Sequence, residues 1–467
     1  MADSKKSKKE KDEFPFHYGF VLKIFPSTKQ KKIILENINS ARFYYNFLVA
    51  QDIKLREIGK EPNIFVNLIQ SRRNQILEET YGRKTIKLVT AKDGTVKQKI
   101  SYSGKLDYVK NTFPWLRDSS LDAQMFENVI INHQKAWKNC KEYHKGIPQF
   151  HNKSYEGTYQ TNGHYSKIDK ETGLSLLKGN VRFDDALKHL QLPKLGFVKV
   201  KYSKKILERL LKQKDVKIGT VTIRKTVTDE FFVSLQLASK HPFVKTMSKL
   251  PEETIVGIDL NVKNFLTDSN KEVVDNPKYY RRMEFRFNRA KRKLGKRQAR
   301  AKKENRSLRK AKNYQKQRLV VAKLSRKVTN QRKNFLHELA KAYLKNHEIV
   351  VAEELRSKNM MKNHKIAKSL QDVGHRTFLT LLEQKAKMYG KTFITVDPKN
   401  TTQTCSCCGH ILKGKDKLTL DNRDWTCPVC QNHHDRDHNA SLNVLKRGLS
   451  ILNKQTSVGD ARINCIS

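Results

Sequence analysis

Past the first thirteen residues, apolar and polar positions alternate over residues 17–25, the two-residue period of a half-buried strand. Pro26-Ser27-Thr28 then marks a turn and a helix start. Residues 28–80 switch to helical spacing, with Ile33, Ile34, Ile38, Phe43, Phe47 and Leu48 on the apolar side. Residues 81–110 are polar, basic and turn-rich, and read as a hairpin or an exposed insertion. A further helical stretch, 116–145, follows Pro114-Trp115. From 149 to 238 short alternating runs return (GFVKVKY, VKIGTVTIRK, FFVSLQLA), predicting a small antiparallel β domain interrupted by the helical KKILERLLKQ. The strand at 17–25 is a candidate member of its sheet, and residues 239–253 read as a linker.

A second body opens with TIVGIDLNVKNFLTD, an apolar strand and its hairpin partner. Residues 279–344 read as a long helical region. A buried strand (EIVVAEEL), a helix over 373–389, a strand (KTFITVD), a cysteine cluster and a last helix over 440–452 follow. Without the cysteine insert, strands alternate with helices, an α/β layer pattern. The fold class expected is therefore α/β joined to separate α and β parts.

Charge changes the picture most. The 467 residues hold 95 Lys+Arg against 46 Asp+Glu, a formal net charge of +49. A compact body with that excess repels itself unless a polyanion neutralises it, and a long nucleic acid is the obvious partner. Residues 281–312 hold 16 Lys/Arg in 32 positions, opposed by Glu284 and Glu304 alone. A charge run is commonly a solvated helix face. Half the positions around a full helix being cationic favours nucleic-acid contact, with Arg286, Arg289, Arg292, Lys293 and Lys296 as candidate contacts. Phe43, Tyr44 and Tyr45 read more simply as core. No run approaches the roughly 20 apolar residues of a spanning helix. The start, MADSKKSKKEKDE, lacks the apolar core of a signal peptide, so a cytoplasmic, nucleoid-associated protein is expected.

Five of the seven cysteines fall between 405 and 430. Cys405-x2-Cys408, then 18 residues, then Cys427-x2-Cys430 is the spacing of a four-thiolate zinc ribbon. Four sulfurs leave no open coordination position, so this zinc would be structural. Cys407, inside the first knuckle, is taken as a non-ligand, and Cys140 and Cys465 as ordinary residues.

Three acids mark a second chemistry. Asp259 ends the apolar run 255–258, Glu353 ends 349–352, and Asp437 lies in HDRDHNAS just before the last helix. Carboxylates converging at buried strand ends suit Mg2+, and two such ions about 3.5–4 Å apart hydrolyse phosphodiesters. Each acid also has a plainer reading: Asp259 as a turn residue, Glu353 paired with a lysine, Asp437 as a helix cap. Glu354 and Asp435 are rival ligands, although neighbours 353 and 354 on a strand face opposite sides.

The motifs FPSTKQ, ARFYYNFL, LPKLGFVKVKY, GIDLNVKN, NQRKNFLHELAKAYL, EIVVAEELRSKNM, YGKTFITVDPKNTTQTCSCCGH, CPVC and DRDHNAS occur in an order that resembles the TnpB family of transposon-encoded RNA-guided DNA endonucleases, relatives of compact type V CRISPR effectors. The resemblance implies a RuvC-like (RNase H-like) nuclease domain over 251–400 and 434–453, with basic helices at 279–344 and a zinc ribbon at 401–433. It further implies a β-barrel-like wedge domain from 14–27 and 148–240, a helical recognition domain at 28–147, a basic tail over 1–13 and a tail over 454–467. The RuvC acids fall on Asp259, Glu353 and Asp437. The second motif here is Glu-Glu where the family has Glu-Asp, and Asn439 selects Asp437 over Asp435. Implied cofactors are two catalytic Mg2+ and one structural Zn2+. Implied partners are a guide RNA and double-stranded target DNA, bound as a monomer or a dimer on one RNA. The resemblance also implies that protein contacts read a short motif beside the target and that a single site cuts both strands. Two other classes are weighed against this: a catalytically silent DNA-binding regulator, disfavoured by intact acids, and a guide-independent resolvase, which needs neither the N-terminal 250 residues nor the charge.

Overall fold

A computed structural model describes residues 13–58, 82–90, 96–144, 146–213, 215–243, 247–251, 254–261, 263–354, 374–419 and 422–463. The chain divides into two compact units, Met1–Phe243 and Val244–Ser467. Expectations for 1–12, 59–81, 355–373 and 464–467, the motif residues RSKNM and Cys465 among them, lie outside the described residues.

In the first unit, β1 (Phe16–Phe25) precedes α1 (Thr28–Ile58). The basic insertion is a hairpin, β2 (Gly82–Thr90) against β3 (Val96–Gly104), continued by α2 (Lys105–Thr112). The helix expected over 116–145 is divided. A 3-10 turn occupies Pro114–Arg117, and α3 runs Ala123–Tyr143. Asp122 supplies the reason, since its carboxylate accepts from the backbone N–H of Gln124 at 3.0 Å and caps a new helix start. Tyr44 and Tyr45 are buried and Phe43 is partly buried, with its ring edge-on to Phe113 and Trp115, so these aromatics are core, as expected.

The β part of this unit holds β4 (Gly157–Asn162), β5 (Arg182–Phe183), β6 (His189–Leu192), β7 (Gly196–Lys201), α4 (Lys204–Leu211), β8 (Val216–Lys225) and β9 (Phe231–Ser239). The strands form one antiparallel sheet in the order β4-β8-β9-β1-β7-β6-β5. β1 enters between β9 and β7, so the start of the chain completes a sheet made otherwise from residues beyond 156.

In the second unit β10 (Ile255–Leu260), β11 (Leu266–Asp268) and β12 (Val273–Val274) form an antiparallel meander. The basic region is two helices, α5 (Tyr279–Lys303) and α6 (Lys312–Asn346), packed on each other. β13 (Ile349–Glu353), α7 (His375–Tyr389) and β14 (Thr392–Val396) follow, and β10, β13 and β14 are parallel. β15 (Asp424–Thr426) and β16 (His433–Asp435) form a small ribbon. α8 runs Arg436–Ile463, so the helix expected to stop near 452 continues through most of the expected tail.

Strand alternation gives the five-stranded sheet two faces. Val256, Ile258, Val350 and Ala352 pack with Leu336, Ala340, Phe378 and Leu382 of α6 and α7. Ile255, Ile349 and Val351 pack with Val444 of α8. Gly257 and Gly448 set how closely α8 lies. A Cβ on Gly257 would stand 2.4 Å from Ser441 O, and one on Gly448 2.5 Å from Val351 Cγ2.

Candidate active site

The face covered by α8 belongs to positions 255, 257 and 259 of β10 and 349, 351 and 353 of β13, as the close approaches at Gly257 and Gly448 require. In the parallel register Ile258 pairs with Ala352, so Asp259 and Glu353 sit side by side at the carboxyl ends of neighbouring strands. Asp437 lies in the first turn of α8, across the same face. Three elements thus bring the three sequence-predicted acids to one end of one face. Glu354 is exposed, and its backbone N–H continues the ladder to Val396 O. Asp435 is exposed as well and caps α8, accepting from His438 N at 2.7 Å. The capping role considered for Asp437 therefore belongs to Asp435.

The acids have unequal surroundings. Asp259 is buried, and burial first, then the charges of Glu353 and Asp437, hold its carboxyl well above the usual carboxylate range. The Arg436 guanidinium and the Asn261 side chain act the other way. Burial also raises Glu353, opposed by the Thr401 hydroxyl and the Arg447 guanidinium. Glu353 Oε1 is buried with no hydrogen-bond partner. Both oxygens of Asp437 are taken: Arg423 Nη1 donates to Oδ2 at 2.7 Å, and Arg436 Nε and Nη2 donate to Oδ1 at 3.0 and 2.9 Å.

No three carboxylates among the described residues place oxygens mutually within 4.8 Å. That spacing excludes a single ion shared tightly by all three acids in this side-chain arrangement. Two ions about 3.5–4 Å apart, each about 2.1 Å from its oxygens, bridge up to about 8 Å between carboxylates. A buried acid raised by two neighbouring acids, beside a partnerless buried carboxylate oxygen, is a donor set that fits hard divalent cations.

The cysteines meet a stricter test. Sγ of Cys405, Cys408, Cys427 and Cys430 all lie within 4.8 Å of one another, with Cys405–Cys430 and Cys408–Cys427 at 3.6 Å. A zinc tetrahedron with Zn–S of about 2.3 Å has edges of about 3.8 Å, so the four thiols fit the ion. Gly409 and Gln431, at φ +78° and +57°, close the two knuckles in the left-handed region, and their N–H groups return to Cys405 O and Cys427 O. Cys407 is exposed. With Cys405 and His434 it forms a second possible ligand trio, His434 Nε2 lying 3.1 Å from Cys405 Sγ. Cys140 is free and partly buried.

On α5, Arg286, Arg289, Arg292, Lys293 and Lys296 are all exposed, while Ala290 and Ala301 are buried. The five cations fall within about 120° of the helix circumference. Sequence reasoning used Asn439 only to choose between Asp437 and Asp435, and passed over Arg423, Arg436, Arg447, Thr401 and Asn443, all bonded into or beside this site. Only Arg436, adjacent to Asp437, had a local signal.

The family model described as "Cas12f1-like, TNB domain" matches residues 375–444, and that described as "Probable transposase" (OrfB_IS605) matches 241–364. A Streptomyces pristinaespiralis protein named "Putative RNA-guided DNA endonuclease" is 32% identical over 233 residues, half of this chain and 53% of its own length. The Escherichia coli K12 protein "Putative RNA-guided DNA endonuclease InsQ" is 22% identical over 86% of this chain and 90% of its own. A cryo-EM structure of a Cas12f1–sgRNA–target DNA complex aligns over 92% of this chain and 98% of its own, with 15% identity and a TM-score of 0.48. The family models and the two sequence relatives bear out the resemblance to the TnpB family that the motifs carry. The architecture is mixed α/β with a cysteine cluster of zinc-ribbon type.

Proposed function

We propose that this chain is a guide-RNA-directed, divalent-metal-dependent DNA endonuclease with a RuvC-like (RNase H-like) catalytic domain. One observation carries the reading: Asp259 and Glu353, far apart in sequence, lie side by side at one end of the sheet face that α8 covers, and Asp437 approaches Asp259 from the first turn of α8. Relatives named as RNA-guided DNA endonucleases support the substrate class. In this reading 28–147 is a recognition domain and 14–27 with 148–240 a wedge domain. The nuclease domain comprises 251–400 with 434–453, and 401–433 forms a structural zinc ribbon.

Two Mg2+ ions held by the three acids would supply an activated water and charge stabilisation of the leaving oxygen. Asp259 and Glu353 would hold them from the strand ends. Asp437 would join once its oxygens exchange arginine for metal. Arg286, Arg289, Arg292, Lys293 and Lys296 would grip phosphates, leaving sequence to guide pairing and a short target-adjacent motif to protein contacts. One site would then cut the two strands in succession, in a monomer or a dimer on one RNA. No helix among the described residues is long and apolar enough to cross a membrane.

The test is to purify the chain, sequence the RNA that accompanies it, and present a plasmid complementary to that RNA. Mg2+-dependent double-strand cleavage that Asp259→Asn abolishes while DNA binding persists is the expected result. Cleavage without RNA would favour a resolvase, and binding without cleavage a silent regulator; either outcome overturns the proposal.

A further inference from the structure

The cysteine ribbon and the acidic site are joined by two asparagines on α8. Asn439, two residues past Asp437, is fully buried. Its side chain accepts from Ser406 N at 2.8 Å and donates to Thr404 O at 2.8 Å. One turn on, Asn443 donates to Thr401 O at 2.9 Å and Thr404 O at 2.6 Å. Lys446 Nζ, from the turn after Asn443, donates to Ser406 O. The gripped segment, 401–406, has Thr401 beside Glu353 at one end and the ligand-spaced Cys405 at the other. Both asparagines give up side-chain groups to backbone that belongs to no sheet or helix, where an apolar residue at 439 would strip Ser406 N of its acceptor and one at 443 would strip Thr401 O of its donor.

We propose that Asn439 and Asn443 are positioning residues that couple metal occupancy of the ribbon to divalent-cation affinity at the acidic site. Cys405 and Cys408, holding a zinc ion with Cys427 and Cys430, would fix the first knuckle and with it segment 401–406, against which the two asparagines hold the start of α8. Asp437 is set from the helix side and Glu353, through Thr401, from the loop side. Outer partners of metal ligands act in this way, and their loss weakens metal affinity without removing a ligand. The coupling is reciprocal, so an occupied acidic site should also retain the ribbon's zinc more firmly. The inference rests on the metal-binding reading of both clusters.

The experiment is Mn2+ binding to the full-length protein, read by electron paramagnetic resonance of free Mn2+, with zinc content measured on the same samples. Six samples suffice: zinc-loaded protein, protein stripped of zinc by prior dialysis against chelator, Asp259→Asn, Asn439→Ala, Asn443→Ala, and Asn439→Ala stripped in the same way. Zinc stripping and Asn439→Ala should each weaken Mn2+ binding about tenfold. Stripping Asn439→Ala should add little further loss. Should Asn439→Ala fold poorly, Asn443→Ala and the stripped unaltered protein carry the same test. A variant that loses thermal stability yet binds Mn2+ as before has a structural role only, and overturns the proposal. Equal Mn2+ affinity with and without zinc overturns it too. If Asp259→Asn binds Mn2+ as tightly as the unaltered protein, the acidic-site reading itself falls, and the coupling with it.

Discussion

Asp259 and Asp437 have the same chemistry in opposite company. Asp259 is buried among other acids, so its proton is held in the folded state after the unfolded chain has released it. The stability this provides is full below the unfolded pKa of about 3.9 and is lost as pH rises through the raised folded value. Without divalent metal, Asp259→Asn should therefore stabilise the protein at pH 7–8 and change little near pH 3.5, as urea unfolding at the two pH values would measure. A stabilisation of equal size at both would show that the carboxyl carries no such burden. Asp437 sits between two guanidiniums, and Asp437→Ala removes the buried carboxylate to which Arg423 and Arg436 both donate. Breaking a buried pair from one side costs about 3 kcal/mol or more. Asp437→Ala should thus lower the unfolding midpoint even in chelator, and a change within about 0.5 kcal/mol, the range of an ordinary surface substitution, would contradict that account. For catalysis, Asp259→Asn is the cleaner substitution.

Elements decide where these side chains go, and here the sequence was unevenly legible. Parallel β10, β13 and β14 announced themselves as apolar runs ending in acids, and the knuckle spacing alone set the four sulfurs together. β1 read as a strand, but its place between β9 and β7 is a long-range pairing that periodicity does not encode. The arginine pair on Asp437 was invisible for a similar reason: Arg423 reaches it only because β15 and β16 fold back as a ribbon. The break before α3 depended on Asp122, a single cap that helical periodicity on either side conceals. Gly257 beneath α8 and Gly448 on it gave no pattern at all, yet they fix its approach. Gly257→Ala sets a methyl against backbone atoms, Ser441 O at 2.4 Å and Leu445 N at 2.7 Å, that yield only if the helix lifts. The nearest atoms to a methyl at Gly448 all belong to the side chain of Val351, at 2.5, 2.7 and 3.1 Å. Overpacking of that kind costs about 1–3 kcal/mol. Val351→Ala should restore most of the stability lost in Gly448→Ala and none of that lost in Gly257→Ala. Differential calorimetry on the single and paired variants decides it, and rescue of both by Val351→Ala would disprove the backbone clash.

At the scale of the whole molecule, a net charge of +49 is the dominant physical fact, and a neutralising polyanion is its natural complement. Phosphate binding releases condensed counterions, so affinity falls steeply with salt. A footprint of about 6–10 phosphates weakens about 10³–10⁵-fold between 50 and 200 mM salt. The exposed stripe Arg286, Arg289, Arg292, Lys293 and Lys296 can neutralise up to five phosphates from one helix, which is held on α6 at the buried Ala290, about 100° round from the middle of the stripe. Changing all five to Gln keeps helix propensity and leaves the buried side of α5 untouched. The variant should fold with an unchanged melting temperature in high salt. In filter binding of RNA or duplex DNA over a range of salt concentrations, its log–log slope should be shallower by about 4, because each phosphate left unneutralised removes roughly 0.9 from the slope on duplex DNA. An unchanged slope would mean that the stripe is a solvated helix face, and that the phosphates lie against other cations of the chain.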